Sequence, residues 1–219
     1  IKVFSLAKIS REVHQVWNYV NIYSNTRGTN RFKALVHTFK YLKNFETVKL
    51  LNIDIPDLNE LNDWAKDSIA LSNENLLDLI LKSPKKNNNT LNKVLRWSEE
   101  VNKKVKATVF NLSPLSGAVK AINLLKADAD LMVISNTPLK TLYREWVGND
   151  IYTNLECIGG QETGNKTEML MAATNGKYKK DHILIIGDSP GDLRAAKNIN
   201  ALFFPILPLK EEESWSVFN

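Results

Sequence analysis

The sequence has little of what marks secreted and membrane proteins. Only one of its 219 residues, Cys157, is a cysteine, so no disulfide can form within the chain. That composition fits a reducing compartment. No apolar run approaches the roughly 20 residues that a membrane-spanning helix needs, and no signal peptide is visible. We therefore expect a cytoplasmic protein that does not contact a membrane.

A strong excess of charge of one sign is also missing. Lysine and arginine total 29 against 24 aspartate and glutamate residues, which leaves a net charge of +5. The lysines are scattered, as in Lys103-Lys104 and Lys179-Lys180, with few interleaved aromatic side chains. This distribution argues against nucleic acid as a partner and favours a mild attraction for small anionic molecules. Nothing in the composition predicts an oligomeric state.

The first half of the chain, residues 10–104, has a helical pattern. Proline and acid at Pro56 and Asp57 are typical of a helix start, and Thr90 is a candidate N-cap after the polar stretch 82–89. Apolar residues recur there at spacings of three and four, which predicts amphipathic helices: Val13, Val16, Trp17, Val20 and Tyr23 in one segment, and Phe32, Leu35, Val36, Phe39 and Leu42 in the next.

From about residue 105 the pattern changes to short apolar runs that alternate with helices. The run "HILIIGD" (182–188) shows no polar alternation, which is typical of a parallel strand buried on both faces. Strands that alternate with helices predict an α/β fold with a doubly wound parallel sheet. The four predicted strands are 130–135, 155–160, 182–188 and 201–207.

Polar residues follow these strands where each one ends. Ser135, Asn136 and Thr137 follow the first strand, and Lys166 opens the helix after the second. Asp188 and Asp192 follow the third, in "GDSPGD". Because ligands of such sheets bind beyond the carboxyl ends of the strands, we expect these side chains to converge.

Together these residue types favour a site for phosphate and Mg²⁺. Mg²⁺ takes hard oxygen ligands and needs only one or two carboxylates beside a phosphate. Hydroxyls, a lysine and the backbone N–H groups of Asn136 and Thr137 suit a phosphoryl group. Each residue alone has an ordinary explanation: Asp192 as a helix cap, Asp188 and Ser135 in turns, Lys166 in solvent. Their order along the strand ends favours the site.

The stretch 130–206 resembles the haloacid dehalogenase-like hydrolases. "VISNT" resembles the family's second motif, "GNKTEML" its third and "LIIGDSPGDLRAA" its fourth. The resemblance implies a Rossmann-like core with an inserted all-helical cap, a Mg²⁺ cofactor and an aspartyl-phosphate intermediate. It implies that Ser135 and Lys166 bind the phosphoryl group and that Asp188 binds the metal. It also implies that Asp192 either binds the metal or orients another residue.

The implied domains are a linker from the core at residues 1–9, a helical cap at 10–104 and the core at 105–219. In the cap, Arg27 and Arg31 lie four residues apart and are candidates for binding a substrate carboxylate or a second phosphate. Pairing with acidic surface residues is the ordinary alternative.

The family's first motif, D-x-D-G-T, which supplies the nucleophile, is absent from this sequence. The string "DAD" at Asp128–Asp130 precedes a strand and does not match it. One explanation places the motif and its central strand upstream of Ile1. The other makes "IKVFSLA" the first strand, with Ser5 and Ala7 at the acid positions, and the protein inactive. We favour the first, because without a central strand two neighbouring strands would have unpaired edges.

The sequence therefore predicts a Mg²⁺-dependent phosphatase-type hydrolase that acts on a small phosphorylated metabolite. Three alternatives remain open: a phosphotransferase similar to sugar phosphomutases, a haloacid dehalogenase, and an inactive phosphate-binding or interaction module.

Overall fold

The computed structural model divides the chain into two compact units, Ile1–Phe110 and Asn111–Asn219. The predicted cap and core meet at residue 104, whereas the last helix of the first unit continues to Thr108. The structure describes residues 1–68, 71–83, 88–108, 113–149 and 151–219.

All regular secondary structure in the described residues of the first unit is helical. A π-helix, Tyr19–Tyr23, follows directly on the first α-helix. The α-helices of this unit are α1 (Ser10–Asn18), α2 (Arg31–Leu42), α3 (Glu46–Leu50), α4 (Asn59–Asp67), α5 (Asn73–Lys82) and α6 (Asn88–Thr108).

The predicted apolar face of α2 is confirmed. Its five members are buried together in the core of the first unit: Phe32, Leu35, Val36, Phe39 and Leu42. In the preceding segment Val16 and Val20 are buried, but Tyr23 is 63% exposed. The prediction fails at Tyr23 because the π-helix bonds residue i to i+5, which rotates its side chain away from the face set by α1.

The two predicted helix starts are shifted in the structure. Asp57 lies two residues before α4, where its Oδ1 accepts a hydrogen bond from the Asn59 backbone N–H at 2.8 Å. Thr90 lies inside α6, which begins at Asn88, so it is not the N-cap. The polar stretch that was predicted to precede it falls partly on 84–87, outside the described residues.

Residues 1–9, the predicted linker, form two short 3-10 turns in the first unit. Leu6 and Ile9 are buried, and the Phe4 ring packs edge-on against Phe39 with centroids 5.0 Å apart. Ser5 has a left-handed backbone, with φ 58°, which interrupts any extended conformation. The alternative in which this segment is the first strand is therefore wrong.

All four strands predicted for the second half are confirmed. They are β1 (Met132–Ile134), β2 (Cys157–Gly159), β3 (Leu184–Gly187) and β4 (Leu202–Pro205). The α-helices among the described residues of this unit are α7 (Ser116–Leu125), α8 (Leu139–Gly148), α9 (Lys166–Thr174), α10 (Pro190–Ile199) and α11 (Glu211–Phe218).

The strands form two separate parallel pairs rather than one continuous sheet. β1 pairs with β2, with Val133 opposite Ile158, and β3 pairs with β4, with Ile185 opposite Phe203. Leu184 and Leu202 are 46% and 54% exposed, although parallel strands are normally covered on both faces. Over the described residues, no strand joins the two pairs, so the doubly wound sheet stays a prediction.

Helices α9 and α10 bridge the two pairs of strands. α9 contacts β1 and α10, and α10 in turn contacts β3 and β4. Met169 of α9 is buried close to Gly159, where an added Cβ would lie 2.8 Å from the Met169 Sδ. No helix in the described part of the chain has the length and apolar character needed to cross a membrane.

Candidate active site

Lys166 is the first residue of α9 and is held there by a reciprocal cap. The Asn165 side chain accepts from the Glu168 backbone N–H at 3.0 Å, and the Glu168 carboxylate accepts from the Asn165 N–H at 2.9 Å. Such capping boxes fix where a helix begins. The local sequence "NKTE" therefore fixes where α9 begins and places Lys166 in its first turn.

The helix after β3 begins in the same way. Ser189 is the N-cap of α10, Pro190 is its first residue, and Asp192 occupies the third helical position. The Oδ2 of Asp192 accepts from the Ser189 backbone N–H at 2.9 Å and from its hydroxyl at 2.8 Å. Gly187 allows this fold-back, since a Cβ there would lie 2.5 Å from the Asp192 Cβ.

The two helix starts meet through an ion pair between Lys166 and Asp192. The Lys166 Nζ donates to Oδ1 of Asp192, and the two side chains are only 18% and 10% exposed. Burial acts to raise the pKa of Asp192, but the Lys166 ammonium and the hydrogen bonds from Ser189 outweigh it and hold that pKa below its ordinary value. Asp192 is therefore an ionised carboxylate with hydrogen bonds to both of its oxygens.

Asp188 lies directly after β3 and its side chain is exposed. Of the two carboxylates in "GDSPGD", Asp188 therefore faces solvent, whereas Asp192 is buried in contact with Ser189 and Lys166. Among the described residues, no three His, Cys, Asp or Glu side chains form a cluster able to hold a metal. The assignment of Asp188 and Asp192 to a metal stays a prediction.

Ser135, Asn136 and Thr137 form a tight turn after β1. The Ser135 Oγ accepts from the Thr137 backbone N–H at 3.1 Å, so this N–H, predicted to bind an anion, has an internal partner. The Ser135 backbone N–H donates to the Gly159 carbonyl at 2.9 Å, which continues the β1–β2 pairing by one residue. Asn136 is exposed at the tip of the turn.

A residue that the sequence did not single out lies beside this turn. The Glu162 Oε2 accepts from the Leu139 backbone N–H, the first of α8, at 3.0 Å. The Gln161 N–H also donates to the Thr137 carbonyl at 3.1 Å. The sequence signal for Glu162 is an acid shortly after two glycines at a strand end. This pattern is too common to predict a functional role by itself.

Asp130, from the "DAD" string, lies at the opposite end of β1 from Ser135. Its Oδ2 accepts from Lys177 at 2.9 Å and from the Tyr178 hydroxyl. These hydrogen bonds hold the pKa of Asp130 below its ordinary value. Its place before β1 and its surface contacts with a lysine and a tyrosine agree with the interpretation that "DAD" is not the missing motif.

Arg27 and Arg31 belong to the first unit, whereas the residues above belong to the second. The Nη1 of Arg31 donates to the Asn102 Oδ1 at 2.6 Å and, at 3.3 Å, to the hydroxyl and carbonyl oxygens of Ser98, which ties α2 to α6. Burial lowers the pKa of Arg31. Arg27 is half-buried in the turn that precedes α2. Their predicted substrate roles stay predictions.

Residues 29–206 match the family model of the haloacid dehalogenase-like hydrolases. Neither the curated proteins nor the solved structures contain a significant match to the chain. The family match covers more than half of the sequence and includes β1 to β4 and every candidate site residue except Arg27. The chain belongs to the haloacid dehalogenase-like hydrolase family.

Proposed function

We propose that the protein is a Mg²⁺-dependent phosphatase-type hydrolase that acts on a small phosphorylated metabolite through an aspartyl-phosphate intermediate. The observation that carries the proposal is the buried Lys166–Asp192 ion pair, at the carboxyl end of β3 and next to the exposed Asp188. An ordered lysine beside a hard oxygen donor suits the charge of a transferring phosphoryl group.

We assign each residue one role in this reaction. The Ser135 hydroxyl, at the end of β1, hydrogen-bonds a phosphoryl oxygen. The Lys166 ammonium neutralises the phosphoryl group and orients the nucleophile. Asp192 orients Lys166, because Oδ1 holds the ammonium and Oδ2 is held by Ser189. Of the two roles that the resemblance allows for Asp192, the contacts support the orienting one.

The donor set fits Mg²⁺ in part. Asp188 offers an exposed carboxylate, and Mg²⁺ usually binds through one or two carboxylates, several waters and a substrate phosphate. When bound, the ion polarises the phosphoryl group and offsets its developing negative charge. Asp188 would hold the ion together with a carboxylate from the first motif, which these 219 residues do not contain.

The open strand edges support a place for that motif. Within the described residues, β1 pairs only with β2, and β3 only with β4. A strand between β1 and β3 would join the pairs into the doubly wound sheet, and its carboxyl end would lie beside Ser135 and Asp188. We propose that this strand carries D-x-D. Its first carboxylate attacks phosphorus, the ester oxygen leaves with a proton from the second, and water then hydrolyses the aspartyl phosphate.

The helical first unit is proposed to act as a cap that excludes bulk water during the reaction. The proposed setting is the cytoplasm, with neither nucleic acid nor a membrane as a partner.

A phosphatase screen tests the proposal. The encoded full-length protein is assayed with Mg²⁺ against p-nitrophenyl phosphate and a panel of phosphorylated metabolites, beside Asp188→Ala and Asp181→Ala variants. Asp181 is the matched control, because it is an exposed carboxylate at the amino end of the same strand. We expect turnover that EDTA abolishes, that Asp188→Ala reduces at least a hundredfold, and that Asp181→Ala leaves unchanged.

Three other outcomes would overturn the proposal. Activity on haloacids that survives EDTA would show a dehalogenase. Transfer of phosphate between sugar positions without net hydrolysis would show a phosphotransferase. No turnover of any ester by the full-length protein would show an inactive module.

A further inference from the structure

We infer that Glu162 is a positioning residue that fixes the Ser135 turn against the helix that carries Lys166; this inference rests on the proposed function. The carboxylate belongs to the segment between β2 and α9, yet it caps α8, which follows the Ser135 turn. Glu162 thus connects the two chain segments from which the phosphoryl-binding groups project.

The N-terminus of α8 receives this carboxylate because its own sequence provides no cap. Its N-cap residue is Pro138, whose side chain makes no capping hydrogen bond. The Leu139 N–H is therefore one of the donors that a helix start leaves without a partner in its own helix. Glu162 accepts this hydrogen bond at 3.0 Å and places negative charge at the positive end of the helix dipole.

Close backbone packing supports the same contact. A Cβ on Gly160 would lie 2.7 Å from the Leu139 nitrogen and 2.9 Å from the Glu162 Oε2. Because Gly160 has φ −102°, glycine is required by this close approach and not by its backbone conformation. The Gln161 N–H adds a second connection, to the Thr137 carbonyl at 3.1 Å. These two contacts hold the carboxyl side of the Ser135 turn, and the bond from the Ser135 N–H to the Gly159 carbonyl holds its amino side.

From Glu162 the chain runs only four residues to Lys166, and both ends of this segment are fixed. Glu162 holds one end at α8, and the Asn165–Glu168 capping box holds the other. Gly164 between them has φ 134° and passes close to Glu168, where an added Cβ would lie 2.8 Å from Oε2. A shift of Glu162 is therefore transmitted to the first turn of α9 and to the Lys166–Asp192 pair.

The test compares Glu162→Ala with Glu162→Gln in the full-length protein. Glutamine keeps a side-chain oxygen able to accept from Leu139, whereas alanine does not. Since small misplacements of catalytic groups cost up to about a hundredfold in rate, we expect Glu162→Ala to lower kcat about tenfold. KM should change less than about twofold, and Glu162→Gln should recover most of kcat, because the substrate contacts themselves remain. An equal loss in both variants, or no loss in Glu162→Ala, would overturn the inference.

A second readout does not depend on turnover. The rate at which acetic anhydride acetylates Lys166, followed by peptide mass spectrometry, should rise several-fold in Glu162→Ala and not in Glu162→Gln. Gly160→Ala would place a Cβ against both partners of the Glu162–Leu139 hydrogen bond, so it should also raise the rate of Lys166 acetylation. An unchanged rate in Glu162→Ala would show that Glu162 only caps α8 and would overturn the inference.

Ser72→Ala is the matched control. It also removes a side-chain oxygen that accepts from a helix N-terminus, the bond from the Asn75 N–H to the Ser72 Oγ, but in the first unit. Both this variant and Glu162→Ala should lower the melting temperature, because each removes a helix cap, but Ser72→Ala should leave kcat and Lys166 acetylation unchanged. If the wild-type protein hydrolyses no ester, the proposed function fails, and the acetylation rates alone decide the role of Glu162.

Discussion

The Lys166 ammonium donates to one oxygen of the Asp192 carboxylate, whose other oxygen is held by the backbone N–H and hydroxyl of Ser189. The two residues are 26 positions apart, and each lies in the first turn of its own helix. The ion pair therefore locks the start of α9 to the start of α10. It also fixes the orientation of the Lys166 side chain and therefore the position of its ammonium group.

Replacement of Asp192 by asparagine should destabilise the protein and reduce turnover. Breaking a buried ion pair leaves an uncompensated charge, here that of Lys166, and costs on the order of 3 kcal/mol. We expect a decrease of about this size in the free energy of unfolding, measured by urea denaturation at pH 7. Turnover should fall as well, because the Lys166 side chain loses the partner that orients it.

Asp63→Asn provides the control for this variant. Asp63 also pairs with a lysine, Lys66 at 2.9 Å, but both side chains are more than half exposed. Exposed ion pairs contribute little to stability, so this variant should unfold like the wild type. Equal destabilisation by the two variants would show that burial of the Lys166–Asp192 pair has no energetic consequence.

The contribution of this ion pair should depend on pH in one direction. The folded-state pKa of Asp192 lies below its ordinary value of 3.8. A carboxylate with a depressed pKa stabilises the fold above its unfolded-state pKa, and this stabilisation is lost as the pH falls through the folded-state value. The difference in unfolding free energy between wild type and Asp192→Asn should therefore be constant from about pH 7 to pH 5 and shrink below about pH 4. A difference that grows in acid would contradict this explanation.

Gly187→Ala, at the end of β3, should displace the Asp192 carboxylate. The new Cβ would lie 2.5 Å from the Asp192 Cβ and 2.7 Å from its Oδ2, closer than side-chain atoms approach each other. We expect loss of turnover and a lower melting temperature, since Asp192 must move away from Ser189 or Lys166. Gly148→Ala is the matched control, because among the described residues, apart from its chain neighbours and its own helix backbone, no atom lies within 4 Å of the position its Cβ would take. A lower melting temperature in both variants would point to a general intolerance of alanine.

The strands of the second unit could be predicted because their apolar runs are short and bounded by polar residues. The run that became β3 lacked alternation, and the structure gives it a parallel partner, β4. The position of Lys166 at a helix start was also predictable, since local capping residues determine it. Local signals of this kind depend on residues a few positions apart, which a single sequence displays directly.

Contacts between distant segments could not be predicted in the same way. The carboxylate of Glu162 reaches a backbone N–H 23 residues away, and no local pattern marks an acid as the cap of another helix. The π-helix at Tyr19–Tyr23 likewise changes the periodicity on which the prediction for Tyr23 depended. The sequence offered Asp192 as a metal ligand or as a helix cap, and its hydrogen bonds from Ser189 are local. Its contact with Lys166 depends on how α9 packs against α10, which only the fold determines.

The last prediction concerns the unpaired strand edges. Successive backbone amides along a strand point to opposite edges. The Ser135 N–H bonds to β2, so the N–H of Ile134 points to the other edge of β1. The Ile183 carbonyl accepts from Leu202 of β4, and the Gly187 carbonyl accepts from Ile206 just after β4. The N–H of Ile186 therefore lies at the other edge of β3. Within the described residues, no strand occupies these edges.

Hydrogen exchange followed by NMR can test whether a strand binds between them. In the 219-residue chain, the amides of Ile134 and Ile186 should exchange faster than those of their neighbours Val133 and Ile185, which point toward partner strands. In the encoded full-length protein all four should be protected, because the proposed D-x-D strand would accept hydrogen bonds from both edges. Slow exchange at Ile134 and Ile186 in the 219-residue chain would mean that these edges are already covered. The nucleophile would then have to reach Ser135 and Lys166 from a different element.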